Sequence, residues 1–209
     1  MPTHIQKLIQ QGEHQQLDFK FEISDARKIA RSMVAFANTD GGILLIGVKD
    51  NGVIAGVRSE EELYMVDAAA TIYCKPEIKF TVKNWNENGK TVLEVNISKS
   101  KSPPHYAQND QGKWTLYIRV KDQNIIANSI WLKVLKRKQN PAGTIVRYRE
   151  SEKILLDYLS EHESITIEKF CRIAIIPESK AETILVNLIS MKVIDFEITE
   201  KEILYWLKH

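Results

Sequence analysis

Apolar positions along the first fifty residues change their spacing twice, and each change predicts a different element. Ile5, Leu8 and Ile9 recur at helical intervals behind Thr3, a residue type that caps helix starts, so a short helix runs to about Gln11 and ends at Gly12. From Gln15 to Glu22 apolar and polar residues alternate. That pattern predicts a half-buried strand with Leu17, Phe19 and Phe21 inward and Asp18, Lys20 and Glu22 on the other face. Helical spacing then returns after Ser24-Asp25, where Ala26, Ile29, Ala30, Met33, Val34 and Ala37 form one stripe of a helix reaching about Asn38. Arg27, Lys28 and Arg31 lie off that stripe. Beyond Asp40-Gly41-Gly42, the unbroken apolar run Ile43 to Val48 predicts a central strand covered on both faces.

The remaining pattern is punctuated by turns. Asp50-Asn51-Gly52 and Asn88-Gly89 tolerate the positive φ of tight hairpins; the first leads into Val53 to Val57, and the second joins strands at about 78–85 and 91–97. Ser59 and Glu62 have capping-box spacing for a helix that must stop before Pro76. Ser102-Pro103-Pro104 forces a loop. Trp114 to Val120 reads as a further strand, and Asn128 or Ser129 caps a helix carrying Ile130, Trp131, Val134 and Leu135. Residues 131–149 then hold six basic and no acidic residues, followed through by Asn140-Pro141-Ala142-Gly143, which reads as a basic linker. Helices are predicted at about 152–161, 166–173 and from Pro177 to Met191. Two short strands, 193–198 and 203–207, complete the outline of a winged helix-turn-helix.

The predicted fold is therefore α+β: a mixed sheet with helices over 1–138, a basic linker over 139–149, and a small winged-helix-like domain over 150–209. At 44% hydrophobic and 27% charged, the composition is that of a globular chain and excludes disorder and collagen. No apolar run is long enough for a membrane span and the first residues lack a signal core, so a cytoplasmic protein is expected. Cys74 and Cys171 stand 97 positions apart without a CxxC partner, which supports neither a disulfide scaffold nor a zinc finger. The net charge of +2 divides unevenly: residues 1–149 hold 22 Lys and Arg against 15 Asp and Glu, net +7, and residues 150–209 hold 7 against 12, net −5. A basic body of this kind attracts polyanions.

Several separated motifs occur in a recognisable order: Gly12-Glu13, Asp18-Phe19-Lys20, Ala35-Phe36-Ala37-Asn38 followed by Gly41-Gly42, and Ile46-Gly47-Val48 followed by Lys49-Asp50-Asn51-Gly52. Together they resemble the Schlafen-type AlbA-like domain, also known as a divergent AAA or DNA-binding domain, over about residues 1–135. In the ribonucleases of that family, acidic residues in the corresponding segments form a metal-assisted site. The resemblance carries this role onto Glu13, Asp18 and Asp50, whose carboxylates would hold Mg²⁺ or Mn²⁺. Asp18 departs from the family's pattern, where Glu is common, and the shorter side chain changes the metal spacing.

A second set of candidates is basic. Lys20, Arg27, Lys28, Arg31, Lys49, Arg119 and Lys121 offer a phosphate-binding patch whose contacts would be salt-sensitive and weakly sequence-selective. Each alone also fits a solvated face balanced by acids such as Glu22 and Asp25. Gly41-Gly42 fits a helix C-cap and turn better than a phosphate cradle. Gly89-Lys90-Thr91 imitates the end of a P-loop, but Asn84 stands where the first glycine belongs and the context is a hairpin, which argues against ATP hydrolysis. His105 reads as a loop histidine. The tail helix from Pro177 offers a groove only Lys180 and Asn187 against Glu178 and Glu182, so the tail reads better as a dimerisation or partner surface.

These observations favour a nucleic-acid-binding protein, DNA before RNA, acting as a dimeric transcriptional regulator without cofactor or catalysis. The alternatives are a metal-dependent ribonuclease using Glu13, Asp18 and Asp50, and a protein-interaction module that binds no nucleic acid.

Overall fold

A computed structural model describes residues 1–57, 61–139, 149–199 and 202–208. The chain divides into two compact units, Met1–Ala127 and Asn128–His209.

In the first unit, β1 (Leu17–Lys20), β2 (Gly42–Ile46), β4 (Phe80–Glu87) and β5 (Lys90–Ile97) form a mixed sheet in the order β1-β2-β5-β4, with β1 and β2 parallel. The run predicted as the central strand is central, and hydrogen bonds on both sides bury Leu44, Leu45 and Ile46 completely. Alternation along the strands then makes two cores. Leu44, Ile46, Leu93, Val95 and Ile97 meet α2 (Ala26–Asn38) and α3 (Glu61–Thr71) on one face. Leu17, Phe19, Leu45 and Val92 meet Ile5 of α1 (His4–Gln11) on the other. Thr3 caps α1 through a complete capping box with Gln6.

Gly41 and Gly42 are the glycine turn that the chain requires. Gly41 has φ +72° and donates its N–H to the Phe36 carbonyl, closing α2. A Cβ on Gly42 would lie 2.5 Å from the Phe36 ring, so the strand can pass under the helix only without a side chain. The Asn88-Gly89 turn joins β4 to β5 with both residues at positive φ, and the P-loop look-alike is this hairpin.

Three expectations are corrected here. The segment after Asp50-Asn51-Gly52 forms one bridge, Val48 to Ile54, rather than a strand over 53–57. The single strand expected over 114–120 is split, β7 (Trp114–Thr115) pairing with β6 (Tyr106–Gln108) and β8 (Tyr117–Val120) with β9 (Gln123–Ile126). The short β3 (Cys74–Lys75), β6 and β9 lack the apolar alternation that marks strands, and were not predicted. The Ser59 cap lies outside the described residues.

The second unit contains α4 (Ser129–Gln139), α5 (Glu150–Glu161), α6 (Ile167–Ala174), α7 (Glu178–Ser190) and an antiparallel hairpin of β10 (Ile194–Ile198) and β11 (Ile203–Leu207). Its core joins Leu155, Phe170, Leu185, Ile194 and Tyr205. Helix α4 belongs to this unit rather than to the first, because Ile130 and Val134 enter its core. Most of the expected 139–149 linker lies outside the described residues.

That placement revises the charge argument. Met1–Ala127 carries 16 Lys and Arg against 15 Asp and Glu, net +1, and Asn128–His209 carries 13 against 12, also net +1. The asymmetry read across Glu150 arises from cutting the chain after a basic stretch that begins inside the second unit. No helix among the described residues is long and apolar enough to cross a membrane.

Candidate nucleic-acid interface and its buried charge cluster

Strand β1 brings two of the three acidic candidates together. Glu13 stands before the strand and accepts the Phe19 N–H at 2.8 Å, while Asp18, only 2% exposed, is hydrogen-bonded to Glu13. Burial, reinforced by Asp18 beside it, pushes the Glu13 carboxyl up to about 7. Asp18 goes the other way. Burial opposes its ionisation, but the hydrogen bond from Glu13 and the charges of Lys20 and Arg119 hold it below the usual carboxylate value. Below about pH 7 the pair therefore holds one proton, on Glu13, and one negative charge, on Asp18.

Donors from three further parts of the chain converge on that charge. The Ser32 hydroxyl donates to Asp18 at 2.9 Å and the Lys20 ammonium at 3.0 Å, and the Arg119 guanidinium lies 3.5 Å away. Arg119 is also 2% exposed. It donates to the carbonyls of His14 and Leu17 and to Asn124 Oδ1, and it lies over the Phe36 ring at 5.1 Å. A guanidinium enclosed in this way fastens β8 to β1 and cannot meet a phosphate, which corrects its place in the predicted patch.

Asp50 is not in this cluster. It is exposed in the turn after β2, and among the described residues no three His, Cys, Asp or Glu side chains are grouped to hold a metal ion. Glu13, Asp18 and Asp50 consequently do not fit Mg²⁺ or Mn²⁺: the Asp18 oxygens are engaged by Ser32, Lys20 and Arg119, Asp50 lies outside the cluster, and burial disfavours the charged form of Glu13.

The other basic candidates fall into two groups. Arg27 pairs with Asp25, the N-cap of α2, and Arg31 donates to Asp110 and lies 5.9 Å from the Tyr117 ring. Lys28, Lys49 and Lys121 are exposed, and Lys49 sits 5.1 Å from the Phe21 ring at the end of β1. In the second unit, one of the two groove-reading candidates, Asn187, is engaged internally, as is Glu182. Glu182 accepts from Ser129 and Lys133, and Asn187 accepts from Arg137, all on α4.

A further polar network escaped the sequence reading. Asn38, at the end of the Ala-Phe-Ala-Asn motif, donates to the carbonyls of His105 and Tyr117 and accepts the His105 N–H at 2.8 Å. His105 is 7% exposed, not a loose loop residue. The Pro76 carbonyl can only accept, so the His105 Nδ1 carries the proton and donates at 2.9 Å; Nε2 then accepts the Ser100 hydroxyl at 2.7 Å. The sequence signal was the motif itself, which ends on Asn38.

Solved structures similar to this chain include two bacterial proteins. One is the DIP2311 protein from Corynebacterium diphtheriae, 20% identical, TM-score 0.46, with 70% of this chain matched to 30% of that one. The other is the N-terminal domain of a putative ATP-dependent DNA helicase RecG-related protein from Nitrosomonas europaea, 20% identical, TM-score 0.39, with 61% and 96% covered. The chain thus spans under a third of the length of the first. A family model described as Schlafen, AlbA_2 matches residues 13–128, opening on Glu13 and closing one residue beyond the first unit. The ordered motifs of the first unit and this match over more than half the sequence make the chain a member of the Schlafen AlbA_2 family.

Proposed function

We propose that this protein binds nucleic acid through phosphate contacts made by its first unit, DNA in preference to RNA, and serves in the cytoplasm as a dimeric transcriptional regulator. The observation that carries this reading is the cationic start of α2. Arg27 and Lys28 stand in a first turn that contains no acidic side chain, where the helix dipole already favours anions. Asp25 takes up part of the Arg27 charge, and Lys28 remains exposed. Lys49 and the partly exposed Phe21 stand at the end of the preceding strand, and Lys20 adds a half-buried ammonium. Lys121 extends the set, while Arg119 supports it from within. The second unit, whose α7 residues Glu182 and Asn187 are engaged with α4, would pair subunits rather than read a groove. Metal-dependent RNA cleavage is disfavoured by the occupied Asp18 oxygens.

The test is the salt dependence of binding to labelled duplex DNA and structured RNA, followed together with cleavage. Each phosphate contact contributes about 0.9 to the slope of log affinity against log salt on duplex DNA, so Lys28→Ala with Lys49→Ala should lower that slope by about 2. An unchanged slope would remove this surface from the reading. Metal-dependent cleavage abolished by Glu13→Gln would replace it with the ribonuclease.

A further inference from the structure

A cavity of about 580 Å³ lies between the start of β4 and the turn that follows β5, away from the carboxylate pair. Pro76 to Thr81 form one wall and Ser98 to Ser102 the other, with Ala37 and His105 between them. The two walls are fastened together by His105, which donates to the Pro76 carbonyl on one side and accepts from Ser100 on the other. Asn38 holds the His105 backbone from beneath, so the cavity rests on buried hydrogen bonds. Three lysines line it: Lys79, Lys99 and Lys101. Lys79 and Lys101 have no carboxylate partner among the described residues, and Lys99 has only an exposed pair with Asp40 at 3.3 Å. Glu77 is the only acidic residue of the lining, and the hydroxyls of Ser98 and Ser102 supply further donors.

We infer that this cavity is a binding site for a phosphomonoester. Three ammonium groups around one concavity favour concentrated negative charge. A terminal phosphate carries a charge of about −1.5 to −2 near pH 7, compared with about −1 for each internal diester, and presents three acceptor oxygens. A pocket walled on two sides admits the end of a strand or a free nucleotide more readily than the middle of a duplex. Ser100 is not one of the ligand's donors, because its proton is committed to His105. Its part, with His105, is to fix the positions of Lys99 and Lys101 on the turn.

The experiment compares end-phosphorylated with end-hydroxyl oligonucleotides of one sequence, and an adenosine monophosphate with adenosine, on the full chain. We expect the phosphorylated member of a pair to bind about tenfold tighter, a preference of the size that one charge-assisted contact supplies. Lys79→Ala with Lys101→Ala should bring that ratio to about one, with the melting temperature unchanged because both side chains are exposed. Lys28→Ala with Lys49→Ala should weaken both oligonucleotides alike and leave the ratio intact, which separates this site from the surface proposed above. A preference confined to the mononucleotide pair identifies a free phosphomonoester as the ligand; a preference in the oligonucleotide pair identifies a strand end. The inference is overturned if neither pair shows a preference, or if the preference survives the loss of Lys79 and Lys101.

Discussion

At the end of β1, Arg119 and Lys20 meet the negative charge of Asp18 inside the protein, and Arg119 is almost wholly enclosed. Around the cavity between β4 and the 98–102 turn, Lys79 and Lys101 stand exposed without a carboxylate partner among the described residues. Cationic side chains thus perform opposite tasks within one unit: the first cluster answers a buried acid and the second is open to a ligand. What separates them is desolvation. An enclosed cation must be answered by the chain itself, whereas an exposed one can wait for an anion from outside. Counting charges along the sequence cannot make that distinction, and the net +1 of each unit hides it.

The contrast can be broken most severely at Arg119. Arg119→Leu would remove the enclosed cation beside the buried Asp18, leaving it Lys20, Ser32 and Glu13, and should cost about 3–5 kcal/mol in urea unfolding; Lys20→Ala, at a side chain 30% exposed, should cost under about 1 kcal/mol. Comparable losses from the two would erase the distinction between an enclosed and a peripheral cation. Asn38→Ala comes next, at about 3 kcal/mol, because it strands the His105 N–H and two carbonyls in a buried place. The same substitution should loosen the cavity walls and speed hydrogen exchange at the His105 amide; an amide that stays fully protected would separate the network from the cavity.

Glu13 sharpens the comparison through pH. Its folded carboxyl titrates at about 7 against an ordinary value of 4.5, so the folded protein holds more protons than the unfolded chain between those values. Stability should therefore fall as pH rises from 4.5 towards 7 and level off above it. Asp18, held low, acts in the reverse sense: its contribution is present above its ordinary value of 3.8 and is lost as pH falls through its lower folded value. Glu13→Gln should flatten the unfolding midpoint between pH 5 and 8, leaving the acid limb in place. A midpoint that still falls across that range in the variant would assign the slope to another group.

Much of the first unit was legible because its sheet is built on strong patterns. Leu17 and Phe19 alternate with Asp18, the 43–48 run is continuous, and Gly41-Gly42 sits where Phe36 leaves no room for a side chain. The short strands were not legible, since two to four residues cannot display a period. The site was readable only in part. Motif order drew attention to Glu13 and Asp18, but proximity of Arg119 to a strand 102 positions earlier comes from tertiary pairing, which no local spacing records. Likewise Ser129 looks like the end of one domain in sequence, and only the packing of Ile130 and Val134 shows that α4 starts the next.

The enclosure of Arg119 also sets an order of events during synthesis. Asp18 leaves the ribosome about a hundred residues before its guanidinium partner, an interval of about 5 to 20 seconds at ordinary elongation rates. Until then the acid of the first strand has only Glu13, Lys20 and Ser32 to answer it, and its place beside β2 is less favourable. The earliest strand of the sheet is thereby made to wait for the last part of its unit, so that the nascent first unit closes as a whole rather than from its beginning.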